Sequence, residues 1–220
     1  MFNKGIIRVS QITGLKAARG REKRVKVFLN GEPSLDLLAE TARLDRLKVG
    51  QEISQSQLDK LESQDRLQRC LNAALRLLGY RPRSEKELRQ RLQRHGFNGE
   101  YLEKAIARLK EQGLIDDIAF ARFWKDNRET FSPRSRRMTK LELRRKGLSS
   151  DVIEQVIGEI DDGESAYRAA VKRATRLAGT DYQDFRRRLG AYLGRRGFSY
   201  IVIEKTTDRV WEEQKTSQNS

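Results

Sequence analysis

The apolar residues of this chain follow two different periods. Early on, Val25, Val27 and Leu29 alternate with Arg24, Lys26 and Asn30, interrupted only by Phe28. Alternation of this kind marks a half-buried strand. Ile6 to Leu15 is another run of β-formers, carrying Ile6, Ile7, Val9 and Ile12. Asn30-Gly31 follows the alternating run directly, and Asn-Gly is the strongest short hairpin signal. Ser34 to Leu38 reads as either the return strand or the start of a short helix. Ala39 to Leu47 reads as helix, and Lys48 to Ile53 as a turn and strand. These elements predict a small β-rich module over residues 1–55. It is too small for much of a core, so it should pack on its neighbour or move on a linker.

From about Ser54 the period becomes helical. Leu58, Leu61, Leu67, Leu71, Ala74, Leu75 and Leu78 lie on one stripe that stops at Gly79, with Pro82 just beyond. Ser84 with Glu87 is a capping-box pattern, opening a helix that ends at Gly96. A third helix is predicted from Gly99 to Gln112, stopping at Gly113.

This three-helix unit recurs. LRQRLQRHGF, TKLELRRKGL and LGAYLGRRGF align on Gly96, Gly147 and Gly197, spaced by 51 and then 50 residues. Leu92, Leu143 and Leu193 precede the glycines by four, and Phe97, Leu148 and Phe198 follow them. Further on, Leu102, Ile153 and Ile203 match, as do Leu109, Ile160 and Val210, and Glu103, Glu154 and Glu204. An amphipathic helix precedes each copy: Leu67 to Gly79, Asp116 to Phe131, and Glu164 to Gly179. The reading is a mostly α protein of three tandem three-helix repeats in an elongated, curved array, with the β-rich module in front. Repeat boundaries are expected at 56–114, 115–162 and 163–213, with a disordered tail over 214–220. The three glycines read as left-handed C-caps between the second and third helices.

Charge adds a direction. There are 46 Lys and Arg against 31 Asp and Glu, a formal +15 with pI near 10.2, which suits a polyanionic partner or an acidic protein surface. The β-rich module shares the bias, with 12 basic and 7 acidic residues over 1–60, a net +5. The densest stretch holds Arg134, Arg136, Arg137, Lys140, Arg144, Arg145 and Lys146 against Glu142 alone. On a helix Arg136, Lys140 and Arg144 form one stripe. The first copy has Arg81, Arg83, Lys86 and Arg89, with Arg91 and Arg94; the third has Arg186, Arg187 and Arg188. Each glycine is preceded by Arg94-His95, Arg145-Lys146 or Arg195-Arg196, where a helix C-terminus itself favours positive charge.

The chain gives little for catalysis. His95 is the one histidine and Cys70 the one cysteine, so a Cys/His zinc site cannot be built and no internal disulfide is possible. Cys70 lies in an apolar run and reads as a buried structural thiol. No GxxxxGK[ST] loop is present, nor a GxGxxG after a strand. Asp116-Asp117 open a helix, and capping explains them better than metal binding. No enzyme, cofactor or metal is expected. Without a long apolar stretch or a secretory signal, the expected location is the cytoplasm.

RPRSEKELRQRL (81–92), LKEQGLIDDIAFARFWKDNR (109–128) and RSRRMTKLELRRKG (134–147) resemble the RecX family of recombination regulators, over roughly residues 65–212. The most specific block is Gly113-Leu114-Ile115-Asp116-Asp117 followed by Phe120-Ala121. Arg-x-Ser-type starts recur at Arg83-Ser84 and Arg134-Ser135. The third copy departs, with Gly190 and Gly194 inside its helix and Thr206-Thr207 where the others have Ala105-Ile106 and Val156-Ile157. The resemblance implies a non-enzymatic monomer that binds RecA filaments on DNA, blocks their growth, and so reduces RecA's ATPase, strand exchange and coprotease activities. Its contact candidates are Arg81, Arg83, Lys86, Arg89, Arg134, Arg136, Arg137, Lys140, Arg144, Arg145, Arg186 and Arg187, facing RecA or DNA phosphates. The other reading of the charge is a nucleic-acid-binding protein acting alone without sequence specificity.

Overall fold

The computed structural model describes residues 9–18 and 23–218, so the Ile6-Ile7 end of the first β-run lies outside the described residues. Four strands come first: β1 (Val9–Ala18), β2 (Arg24–Leu29), β3 (Glu32–Leu38) and, after the short helix α1 (Ala39–Leu44), β4 (Glu52–Ser54). They form one antiparallel sheet in the order β3-β2-β1-β4. Asn30 (φ 50°) and Gly31 (φ 93°) make the two-residue turn joining β2 to β3. Two positive φ values are what a type I′ hairpin requires, and Asn and Gly tolerate them. Residues 34–38 thus take the strand alternative.

Nine helices follow among the described residues: α2 (Gln55–Tyr80), α3 (Glu85–Arg94), α4 (Gly99–Glu111), α5 (Asp117–Phe131), α6 (Arg136–Arg145), α7 (Ser150–Ile157), α8 (Asp162–Ala174), α9 (Tyr182–Arg195) and α10 (Tyr200–Gln218). They make three consecutive three-helix units, α2–α4, α5–α7 and α8–α10. The α10 helix continues to Gln218, supported by side-chain pairs one turn apart, Arg209 with Glu213 and Lys215 with Glu212. Contacts divide the chain into two units, Met1–Arg81 with Leu88–Leu114, and Pro82–Glu87 with Ile115–Ser220. The division falls inside α3.

In the first unit the sheet has no independent core. Ile12, Val27, Leu29, Leu37 and Ile53 bury their side chains with Leu58 and Leu61 of α2. Asp65, 3% exposed, completes the join. It accepts hydrogen bonds from the Leu38 amide (2.6 Å) and the Thr41 hydroxyl (3.2 Å) at the start of α1. A carboxylate on one helix thus caps another whose own N-cap residue, Leu38, has no side-chain acceptor.

Most of the repeated apolar positions form the cores, while Phe97 and Ile203 are half-buried. Leu92, Leu143 and Leu193 are fully buried, and Leu102, Ile153, Leu109, Ile160 and Val210 nearly so. Gly96, Gly147 and Gly197 have φ of 85–89°. Each donates to the carbonyl three residues back, and the next residue donates back to the repeat leucine: Phe97 to Leu92 (3.1 Å), Leu148 to Leu143 (3.3 Å) and Phe198 to Leu193 (3.4 Å). This is the Schellman C-cap, with its apolar pair supplied by two of the repeated positions. Gly190 and Gly194 do not break α9. A methyl group at either would reach only ordinary contact with Ile203, so the space there would admit alanine as well.

Candidate binding surface

The repeated glutamate is explained by an ion pair. Arg89 reaches Glu103 at 2.5 Å, and Lys140 pairs with Glu154; both basic residues lie seven before the repeat glycine and both acids seven after. In the third copy that basic position is Gly190. Arg186, one turn earlier, reaches Glu204 instead, at 2.9 Å. Three of the twelve contact candidates therefore clamp the second helix of a repeat to the third.

Others are held at the joins around α6. Arg136 donates through Nη2 to the carbonyls of Gly158 (3.0 Å) and Ile160 (2.8 Å), closing the end of α7. Arg83 is 8% exposed and bonds Glu87 at 2.7 Å. Arg134 lies 3.1 Å from Glu142, which also accepts from Trp124 Nε1 (2.8 Å) and Arg128 Nε (2.7 Å). The Arg128 and Lys146 cations lie 4.7 and 4.6 Å from the Trp124 ring centroid. Arg187 pairs with Asp184 at 2.8 Å. Arg81 is half-buried, and Lys86 is exposed with its stem packed on Gly147.

The stripe read from the sequence is therefore not a free surface, because Arg136 and Lys140 are engaged within the fold. Of its three residues only Arg144 belongs to the unpaired face of α6. Arg137, Arg144 and Arg145 are exposed with no hydrogen-bond or ion-pair partner among the described residues, and Leu141 lies between them, 40% exposed.

Two serines organise the joins. Ser84 and Ser135 are fully buried. Each caps its own helix, accepting from Glu87 N (3.2 Å) and Met138 N (3.1 Å). Each also meets the C-cap that follows the next α-helix of its type: Ser84 Oγ donates to the Lys146 carbonyl (2.7 Å), and the Ser135 amide to the Arg196 carbonyl (3.1 Å). Asp116 and Asp117 are both capping groups. Asp116 accepts from Ile118 and Ala119 N, and Asp117 from Glu85 N at 3.0 Å.

Family models match in the same three places. They are the first three-helix domain of RecX at residues 70–109, the second at 116–157 and the third at 160–206. The regulatory protein RecX of Prosthecochloris aestuarii is 35% identical over 142 residues, covering 64% of this chain and 93% of that protein. The chain belongs to the RecX family. The regulatory protein RecX of Clostridium botulinum (strain Eklund 17B) is 29% identical over 202 residues, 89% of this chain and 94% of its own length. A crystal structure of a regulatory protein RecX superposes with TM-score 0.64 at 22% identity, covering 90% of this chain and 99% of that one. The RecX crystal structure from Lactobacillus salivarius gives 0.55 at 26% identity, over 66% and 96%. The RecX fold thus extends to the sheet-bearing first unit. No helix among the described residues is long and apolar enough to cross a membrane.

Proposed function

We propose that this chain is a regulator of RecA that binds RecA–DNA filaments, blocks their growth, and thereby lowers ATPase, strand-exchange and coprotease activity. It acts by binding and not by catalysis, in the cytoplasm. The observation that carries the reading is RecX membership across all three repeats. The exposed α6 face supplies a means: three arginines without internal partners, around one apolar residue, suit an acidic surface or a phosphate backbone. Stand-alone, sequence-nonspecific nucleic-acid binding is the second reading, favoured by that same excess of charge.

Reversing Arg137, Arg144 and Arg145 together to Glu tests the surface. The account expects unchanged far-UV circular dichroism and a large loss, tenfold or more, in the potency with which the protein inhibits RecA's ATPase on single-stranded DNA. Full inhibition by a folded triple variant would remove α6 as the contact face. Loss of binding to bare DNA, with inhibition of RecA intact, would assign the face to DNA alone.

A further inference from the structure

The second repeat fills a hollow that the first leaves open. In the second, the Trp124 indole lies against Arg128 and Lys146. In the register of the repeat glycines, Trp124, Arg128, Lys146 and Leu148 correspond to Ala73, Leu77, His95 and Phe97. Those four, with Arg69, Arg76 and Tyr80, line a groove of about 520 Å³ in the first unit. Alanine therefore stands where an aromatic ring would occupy the space.

The groove is also uncovered on the side where the later copies are not. A methyl group built on Gly147 would overlap Lys86, its Cβ only 2.6 Å away, and one on Gly197 would come within 2.7 Å of Ser135 Oγ. At Gly96 it would meet nothing within 4 Å. The cation at this position is answered in the second copy by Glu87, 3.5 Å from Lys146 Nζ. In the groove, Arg69 and His95 have no carboxylate among the lining residues. At its rim Tyr80 is 85% exposed.

We infer that this groove is a binding site for single-stranded nucleic acid, taking one unpaired base into the place of the missing indole. A flat ring lies over Ala73 and against Tyr80, and the adjoining phosphate meets Arg69 and His95. Every base has a π-face, so such a site is tolerant of sequence. Duplex bases are stacked and paired and cannot enter. The site is independent of any contact with RecA, and bare strands report on it.

The test is fluorescence anisotropy with a labelled oligo(dT), a duplex of equal length and a poly-glutamate competitor, at one fixed salt concentration. Two variants are compared with the parent. Ala73→Trp refills the hollow as the second repeat does, and Tyr80→Ala removes the exposed ring. Each should weaken single-strand binding by roughly fivefold to a hundredfold, the range spanned by losing one stacked base. Tyr80→Phe should bind like the parent, and the salt dependence should be unchanged in all three, since no phosphate contact is removed. Parent-like binding by both Ala73→Trp and Tyr80→Ala overturns the site. So does a parent that prefers duplex, or displacement by poly-glutamate as effective as by unlabelled strand. Should Ala73→Trp fail to fold, Tyr80→Ala decides alone, because its side chain is at the surface.

Discussion

Single residues carry two separable constraints at the repeat glycines. All three occupy the left-handed region, where a Cβ costs on the order of 1–2 kcal/mol. Gly147 and Gly197 additionally lie against a neighbouring segment, whereas Gly96 faces open space. Gly96→Ala should therefore cost about 1 kcal/mol and Gly147→Ala clearly more, by chemical denaturation; equal losses would deny the close packing at the join. Cys70 gives a pH-dependent prediction. Burial pushes its thiol up to about 11 from a reference of 9.0, because the fold disfavours the thiolate. Its folded pKa is raised, so the stability it contributes is complete below pH 9 and is lost as pH rises from 9 towards 11. Native protein at pH 8 should react with a thiol reagent only slowly, and denatured protein quickly; rapid native reaction would place the thiol at the surface. The glycines and this burial were legible from the sequence, since left-handed caps and apolar runs are local signals. The fate of the arginines was not. Arg136 is engaged by carbonyls just past the end of α7, 22 and 24 residues away, and no spacing rule reports such a contact.

At the level of elements, helices are joined by side chains that also serve as caps. Ser84, Ser135, Asp65 and Asp117 each satisfy a helix terminus while fixing a neighbour, and a buried terminus without such a partner is costly. A Ser54–Gln57 capping box opens α2 with both bonds present. The β-rich module illustrates a limit of local reading. Its strands follow from alternation and Asn-Gly, but its dependence on α2 follows from Leu58, Leu61 and Asp65, which look like ordinary helix positions. Deleting residues 1–54 should consequently fray the first three turns of α2. Hydrogen exchange at residues 57–66 should become fast while α5–α10 keep their protection; persistent protection at 57–66 would show that the sheet adds nothing to α2.

For the molecule as a whole, repetition has been used to vary surfaces on a constant core. The aligned apolar positions keep three similar interiors, and the variation falls between them: Trp124 where the first copy has Ala73, Gly190 where others have a cation. The core was legible because three copies of one pattern reinforce each other. The open hollow was not, because it is defined by what fills its counterpart in space. The central claim concerns regulation of RecA, and the most direct measurement is RecA's ATPase on single-stranded DNA as this protein is titrated in. The account predicts inhibition at amounts well below one per RecA protomer, as blocked filament growth requires. An ATPase that stays unchanged through equimolar amounts, while the protein binds bare DNA tightly and with a steep salt dependence, would contradict it.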